Sequence, residues 1–309
     1  MRTIQNNYGF LFFVGVLVLI AVISSATENS NFLPLVHSDV SSNADDRDDI
    51  EALYIRAREF DANGDLEAAI LRYTDIIQRD PTYSVAYYER CWLHYRLNHH
   101  NQAISDCNQA IELNPTYVKA WAALCYTYED MDEHDRAIED CTRTIELDAS
   151  YAGAYTARAD AYRYLGDYDQ ALADYNRSLE IDPYNGVTFN NRALLHRAMD
   201  NDELALADYN DSIKYYDPLT DYGFYITWHN RGLLNDDLGN YDQAIHDFRK
   251  SIDMNPTYIR AIVSLGELFE TLERYPQALE LYETVVRLEE YGVSEPDYDT
   301  SYIPDQIDY

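Results

Sequence analysis

The sequence predicts an all-α protein built of antiparallel helix pairs stacked in series, and three observations predict it. The first is a period of 34 residues: Ala69, Ala103, Ala137 and Ala171 recur in step, as do Pro81, Pro115, Ala149 and Pro183. The second is a pair of apolar stripes at helical spacing within each period. In the copy from Tyr155 to Pro183, Tyr155, Ala159 and Tyr162 stand at i, i+4 and i+7, and Ala171, Tyr175, Ser178 and Leu179 repeat the pattern. The third is punctuation. Gly166-Asp167 supplies the left-handed or turn geometry that stops the first helix, and Pro183 stops the second. Small residues at Ala159 and Ala171 let the two backbones approach, with tyrosines filling the space beside them. Such a pair cannot bury its apolar faces alone and needs neighbours.

An aromatic, a small residue and an aromatic in the first helix, followed by alanine, aromatic and proline in the second, resembles the tetratricopeptide (TPR) repeat. Beyond Pro183 the phase slips, with Pro218 after 35 residues and Pro256 after a further 38. The frame resumes at Trp228, Gly232, Ala244, Phe248 and Pro256, and a last copy carries Gly266, Phe269, Ala278 and Tyr282. This gives seven units: 50–83, 84–117, 118–151, 152–185, 186–219, 225–258 and 259–292. The resemblance implies a right-handed superhelical solenoid whose first helices line a concave groove.

Ahead of the array, Arg2 precedes a dense apolar run from Phe10 to Ile23 and the small residues Ser24, Ser25 and Ala26. Residues 1–26 read as a signal peptide cleaved after Ala26, or as an uncleaved membrane anchor using residues 9–26. Either reading exports the acidic remainder. Residues 27–49 are polar and without period, a flexible acidic linker whose aspartates favour the start of the first repeat helix. The turn Asp61-Ala62-Asn63-Gly64-Asp65 is not a calcium loop: its glycine is misplaced, and Arg72 holds the twelfth place, where glutamate belongs. Tyr215–Phe224 lengthens the fifth connection by five residues. It is either a longer loop or a kink of the superhelix into a five-unit and a two-unit block. The tail, 293–309, has five acids, no base and three tyrosines. Its prolines argue against a closing helix, and it is expected to be a covering or interaction segment or a disordered acidic end.

A net charge of −32 repels phosphate, so nucleic acid is excluded as a partner. The 30 tyrosines are mostly structural, either in repeat slots (Tyr73, Tyr155, Tyr175, Tyr209, Tyr282) or at junctions such as Tyr83, Tyr117 and Tyr258. All four cysteines occupy core slots. Cys91 and Cys125 replace the small first-helix residue, and Cys107 and Cys141 the second-helix aromatic. They form either two within-hairpin disulfides, Cys91–Cys107 and Cys125–Cys141, or four free core thiols. Their spacing fits no zinc pattern. His94, His99, His100 and His134 read as exposed turn residues. With no nucleophile elbow, no phosphate loop and no placed base, the sequence offers no enzyme and no cofactor.

Arg90/Asp106, Arg158/Asp174, Arg192/Asp208 and Arg231/Asp247 place arginine beside the small first-helix slot and aspartate beside the second-helix aromatic. They read as ion pairs that lock each hairpin, arginine being suited to a partly buried fork. The seventh unit has Leu265 and Leu281 instead. The third has Leu124 and Asp140, leaving Asp140 open to Arg158 of the next unit.

Function has to come from the surface. By the 3.6 period, the first-helix stripe off the core carries Tyr54 and Arg58; Tyr88, Trp92 and Tyr95; Tyr126 and Glu129; Asp160, Arg163 and Tyr164. It continues with Asn190, Asn191 and Arg197; His229, Asn230 and Asp236; Glu267 and Glu270. The basic clamp with which chaperone-binding TPR domains grip a carboxyl terminus is not reproduced. The candidate partner-binding residues are Tyr88, Trp92, Tyr95, Tyr126, Tyr164, Asn191 and Asn230, centred on the first four rings. Glu89, Glu129, Asp130 and Asp160 beside them imply a peptide or protein with apolar anchors and basic flanks. The expectation is an exported binding scaffold without catalysis; the alternative is a structural component self-associating through its solenoid ends.

Overall fold

The computed structural model describes residues 44–216 and 223–293. The expected leader and membrane tether, the linker up to residue 43, and the tail from 294 lie outside these residues. Among the described residues there are fourteen α-helices and no strand, and no helix is long and apolar enough to cross a membrane.

The chain divides into two compact units, with the boundary between Asp182 and Pro183. The first unit holds four helix pairs: α1 (Ala44–Ala62) with α2 (Leu66–Arg79), α3 (Ser84–Arg96) with α4 (His100–Leu113), α5 (Val118–Asp130) with α6 (His134–Leu147), and α7 (Ala152–Leu165) with α8 (Tyr168–Ile181). The second unit holds three: α9 (Gly186–Ala198) with α10 (Asp202–Lys214), α11 (Tyr225–Asp237) with α12 (Tyr241–Met254), and α13 (Ile259–Thr271) with α14 (Tyr275–Glu290). The division therefore falls after the fourth pair, not at the 215–224 insertion. What is described of that insertion is packed by aromatic rings: Tyr216 stacks on Phe224 at 3.8 Å and Tyr215 on Phe189 at 5.7 Å. α1 begins earlier than the sequence suggested, so residues 44–49 are helical rather than part of a linker.

Each hairpin turn contains one left-handed residue at the same register: Gly64, Asn98, Asp132, Gly166, Asp200, Gly239 and Glu273. A single residue separates it from the next helix, so the chain reverses tightly and the second helix returns along the first. Within each unit every helix packs on its predecessor. The first helices also touch one another: α3 meets α5, α5 meets α7, and α11 meets α13.

The core of a hairpin is a small residue facing a ring sixteen positions later. Ala57 faces Tyr73, Ala159 Tyr175, Ala193 Tyr209, Gly232 Phe248 and Gly266 Tyr282, and all five rings are buried. The fit leaves no room, since a Cβ on Gly232 would stand 2.7 Å from the Phe248 ring and one on Gly266 2.6 Å from Tyr282. The second and third pairs depart from this scheme. There Cys91 is bonded to Cys107 and Cys125 to Cys141, with Cα atoms 5.4 and 5.1 Å apart.

Beside these cores run the arginine–aspartate pairs. Arg90 donates Nε and Nη2 to Asp106 at 2.7 Å each, and Arg158 does the same to Asp174 at 2.7 and 2.9 Å. Arg192 grips Asp208 at 2.8 and 2.6 Å, and Arg231 grips Asp247 at 2.8 and 2.7 Å. The remaining nitrogen ties the hairpin to the one before it: Arg90 Nη1 reaches Thr74, Arg158 Thr142 and Arg231 Asn210.

This arrangement settles the case of Asp140. Arg158 is fully engaged by Asp174 and Thr142, so Asp140 is buried beside Leu124 without an ion pair among the described residues. Burial first, and Glu139 second, push its carboxyl up to about 7 against the pull of Arg136. Because the folded chain holds this proton more tightly than the unfolded one, the stability Asp140 carries is full below pH 4 and is lost as pH rises through about 7. Asp140→Asn is therefore expected to stabilise the chain by about 1–3 kcal/mol at pH 8 and to be neutral near pH 4. Urea unfolding of both proteins at the two pH values measures the difference.

The histidines are not uniformly turn residues. His99 is exposed, but His94 packs inward with its Nε2 4.0 Å from Asp106, and His134 stacks on Tyr164. His229, placed on the outer stripe by periodicity, is buried; its Nε2 is 3.1 Å from Ser264 Oγ and its Nδ1 3.3 Å from the Tyr258 hydroxyl. Burial, aided by Arg260, holds its ring down to about 4.

Candidate functional site

The candidate rings sit on α3 and α5 of the first unit. Trp92 and Tyr95, one turn apart on α3, stack with centroids 5.1 Å apart and planes at 28°. Tyr126, one helix on, meets Trp92 edge-on at 6.4 Å. These three form one contiguous cluster. All three are half-buried, so each has a packed side and an open side.

Two polar neighbours mark the cluster's edges. The Tyr95 phenol lies beside Asp130, and the Tyr126 hydroxyl lies beside Tyr151. Tyr126 fits closely over the start of α7: a Cβ added to Gly153 would lie 2.4 Å from its hydroxyl oxygen. Burial raises the pKa of all the phenols involved, so they remain neutral donors.

The fourth ring behaves differently. Tyr88 tilts against Tyr117 at 5.1 Å and lines the core of the second pair. Tyr164, 58% exposed, forms a separate patch at the end of α7, lying parallel to His134 at 5.0 Å and under the Arg163 guanidinium at 4.3 Å. Asn191 and Asn230 belong to the second unit. There Asn230 donates to Asn190 at 3.3 Å, and Asn190 in turn donates to Asn191 at 3.0 Å. The seven candidates are thus a three-ring cluster, a core-facing tyrosine, an exposed stack and an asparagine chain. Periodicity missed Tyr117 and Tyr151 as supports of the rings. The signal for both was present in the junction tyrosines, which recur at the end of a unit.

The acids also separate. Asp160 is buried and occupied, accepting from the Tyr175 hydroxyl at 2.5 Å with Arg163 3.7 Å away. Glu89 accepts from the Tyr54 hydroxyl at 3.1 Å, and burial raises its pKa. Glu129 forms no ion pair among the described residues. Burial, then Asp160 and Asp130, push it up to about 7, and Arg163 only partly offsets them. Glu129 thus stands beside the rings as an acid with no cation in contact among the described residues. Among the described residues no cluster of histidine, cysteine and carboxylate side chains is arranged to hold a metal ion.

Helix pairs in a repeating register, with a small-to-ring core in five of the seven and a proline after several second helices, define the class: the chain carries tetratricopeptide repeats. The family model for the tetratricopeptide repeat matches residues 84–117, 152–185 and 225–258, which are the second, fourth and sixth pairs. Among solved structures, a TPR protein from Parabacteroides merdae is similar at 15% identity and TM-score 0.62, over 81% of this chain and 95% of that one. A chain of the APC/C hetero-tetramer Cut9–Hcn1 is similar at 14% identity and TM-score 0.64, over 78% of this chain. This protein spans about half of that chain, 52% of its length. A thermophilic TPR protein from Thermus thermophilus is similar at 17% identity and TM-score 0.51, over 60% of this chain and 99% of that one. At these identities the likeness concerns the fold. No curated protein matches the sequence.

Proposed function

We propose that the chain is an exported, non-catalytic scaffold that holds a peptide or a segment of a partner protein against the ring cluster Trp92, Tyr95 and Tyr126. The observation that carries this reading is a group of three half-open rings with the Glu129 carboxyl, which has no ion pair among the described residues, close enough to Tyr95 to raise its phenol. Rings already held by their neighbours lose little freedom on binding, so contact area converts efficiently into affinity. An apolar or aromatic anchor fits the rings, and a lysine or arginine beside it fits Glu129. The leader-like run at 10–23 and the two cystines support export; a membrane tether through residues 9–26 is the variant in which the leader is retained. A net charge of −32 makes nucleic acid an unsuitable partner.

The partner's cation must displace the proton that Glu129 holds below about pH 7. Affinity for a basic-flanked peptide should therefore rise with pH through about 7 and level off above it, by up to about tenfold per unit for the single proton released. The test is to select peptides from a random display library on the oxidised full-length chain and titrate the winners at pH 5.5 and 8. Expected are sequences with an apolar anchor and a flanking lysine or arginine, bound more tightly at pH 8, with the dependence lost in Glu129→Gln. Acid-flanked winners, or binding indifferent to both pH and Trp92, would sink the proposal.

A second reading, self-association through the end of the array, is favoured by one observation on α14. The aliphatic residue eight positions after the repeat alanine is buried or half-buried in the first six pairs (Ile77, Ile111, Ile145, Leu179, Ile213, Ile252), whereas Val286 is 46% exposed. Concentration-dependent sedimentation that Val286→Asp abolishes would support this reading.

A further inference from the structure

Five hairpins are filled by a ring over a small residue; the two that carry the ring cluster are not. In the second and third pairs the ring slot holds Cys107 and Cys141, and the small slot holds Cys91 and Cys125, all fully buried. The rings packed on this core, such as Tyr88 and Tyr117, are only half-buried, and the side chains enclosed with the cysteines are small. The other fully buried side chains there are mostly alanines, among them Ala103, Ala110, Ala120 and Ala137. Between residues 84 and 151 Leu93 alone is among the largest fully buried side chains, whereas Tyr73, Tyr175, Tyr209 and Phe248 serve other pairs. Cys91 directly precedes Trp92 and Cys125 directly precedes Tyr126, so each bond fastens the helix turn that presents a cluster ring.

We propose that the two cystines stand in for the missing aromatic core, so that the ring-bearing face between residues 84 and 151 is assembled only in the oxidised chain. This adds redox control to the site and rests on the binding reading only for what the site is used for. Reduction by a dithiol breaks each Sγ–Sγ bond. Two electrons and two protons give two buried thiols, and the reductant closes its own disulfide. The thiols neither fill the volume of a tyrosine nor shorten the unfolded loop, so the second and third pairs lose their main constraint. In a repeat array, where stability is a sum of local terms, the loss stays local.

The experiment needs no ligand, so its failure is separate from a failure of the binding reading. The full chain is unfolded in guanidinium and refolded with or without a dithiol, and amide hydrogen exchange is read by mass spectrometry. In the reduced chain, exchange across 84–151 should accelerate by about a hundredfold while 186–290 changes little. A chain carrying Cys91→Ala, Cys107→Tyr, Cys125→Ala and Cys141→Tyr restores the ring-over-small arrangement and should exchange at the same rate with or without dithiol. Unchanged exchange in the reduced wild-type chain would overturn the proposal. So would acceleration spread evenly along both units. Should the four-fold variant fail to fold, the segment-resolved comparison of oxidised and reduced wild type decides alone.

Discussion

Arg231→Met is expected to cost the second unit about 3–5 kcal/mol, the penalty for stranding a buried carboxylate. Asp247 is 0% exposed and receives four donors: Arg231 Nε and Nη2, Asn235 Nδ2 at 3.1 Å and Gln243 Nε2 at 2.8 Å. Removing the arginine leaves the charge with two neutral amides and no cation in contact. The same array contains the control. In the seventh pair Leu265 and Leu281 occupy the two slots, one buried and the other packed on the same core cluster. Arg231→Leu combined with Asp247→Leu is therefore expected to regain most of the loss, since a well-packed apolar pair of similar volume commonly matches a buried ion pair. Urea unfolding followed by hydrogen exchange in α11 and α12 measures both. If the double variant falls as far as the single one, the cost lies in lost packing or in the Arg231–Asn210 link, and the charge argument is wrong.

The hairpin-locking pairs were legible because sixteen residues carry the chain up one helix, around a fixed turn and back to the same level. The register of Arg90 with Asp106 is set by the backbone alone. The same reasoning could not assign Asp140, since an arginine in one hairpin reaches both its own aspartate and the preceding hairpin's second helix. It took the contact of Arg158 with Thr142 to show that the second reach is made to a hydroxyl. The outer stripe was less legible for a different reason. A 3.6-residue period gives the direction in which a side chain leaves an isolated helix, not what the next helix puts there. Tyr88 and His229 lie on that stripe, yet Tyr117 covers one and Tyr258 with Ser264 the other. The stripe also ran through all seven pairs as one surface, whereas the chain divides into two units at Asp182/Pro183, a boundary the 34-residue register crosses without a break.

Trp92→Ala is expected to weaken binding of a peptide selected on the oxidised chain by about 2 kcal/mol or more, roughly thirtyfold, while far-ultraviolet circular dichroism stays unchanged. Trp92 touches both other rings of the cluster, Tyr95 at 5.1 Å and Tyr126 at 6.4 Å, so its removal takes away the shared wall of the site. The fold should survive. Trp92 is only half-buried, and the Cys91–Cys107 bond beside it holds the hairpin independently of the indole. Tyr95 and Tyr126 keep their own polar neighbours, Asp130 and Tyr151, and so report whether the remaining site persists. Tyr164→Ala is the comparison. That ring is larger in exposed area but stacks with His134 apart from the cluster, and its loss should change affinity by less than about 0.5 kcal/mol. Equal losses at the two positions would mean that exposed aromatic surface in general, and not this cluster, binds the peptide. An unaltered affinity in Trp92→Ala would remove the cluster from consideration altogether.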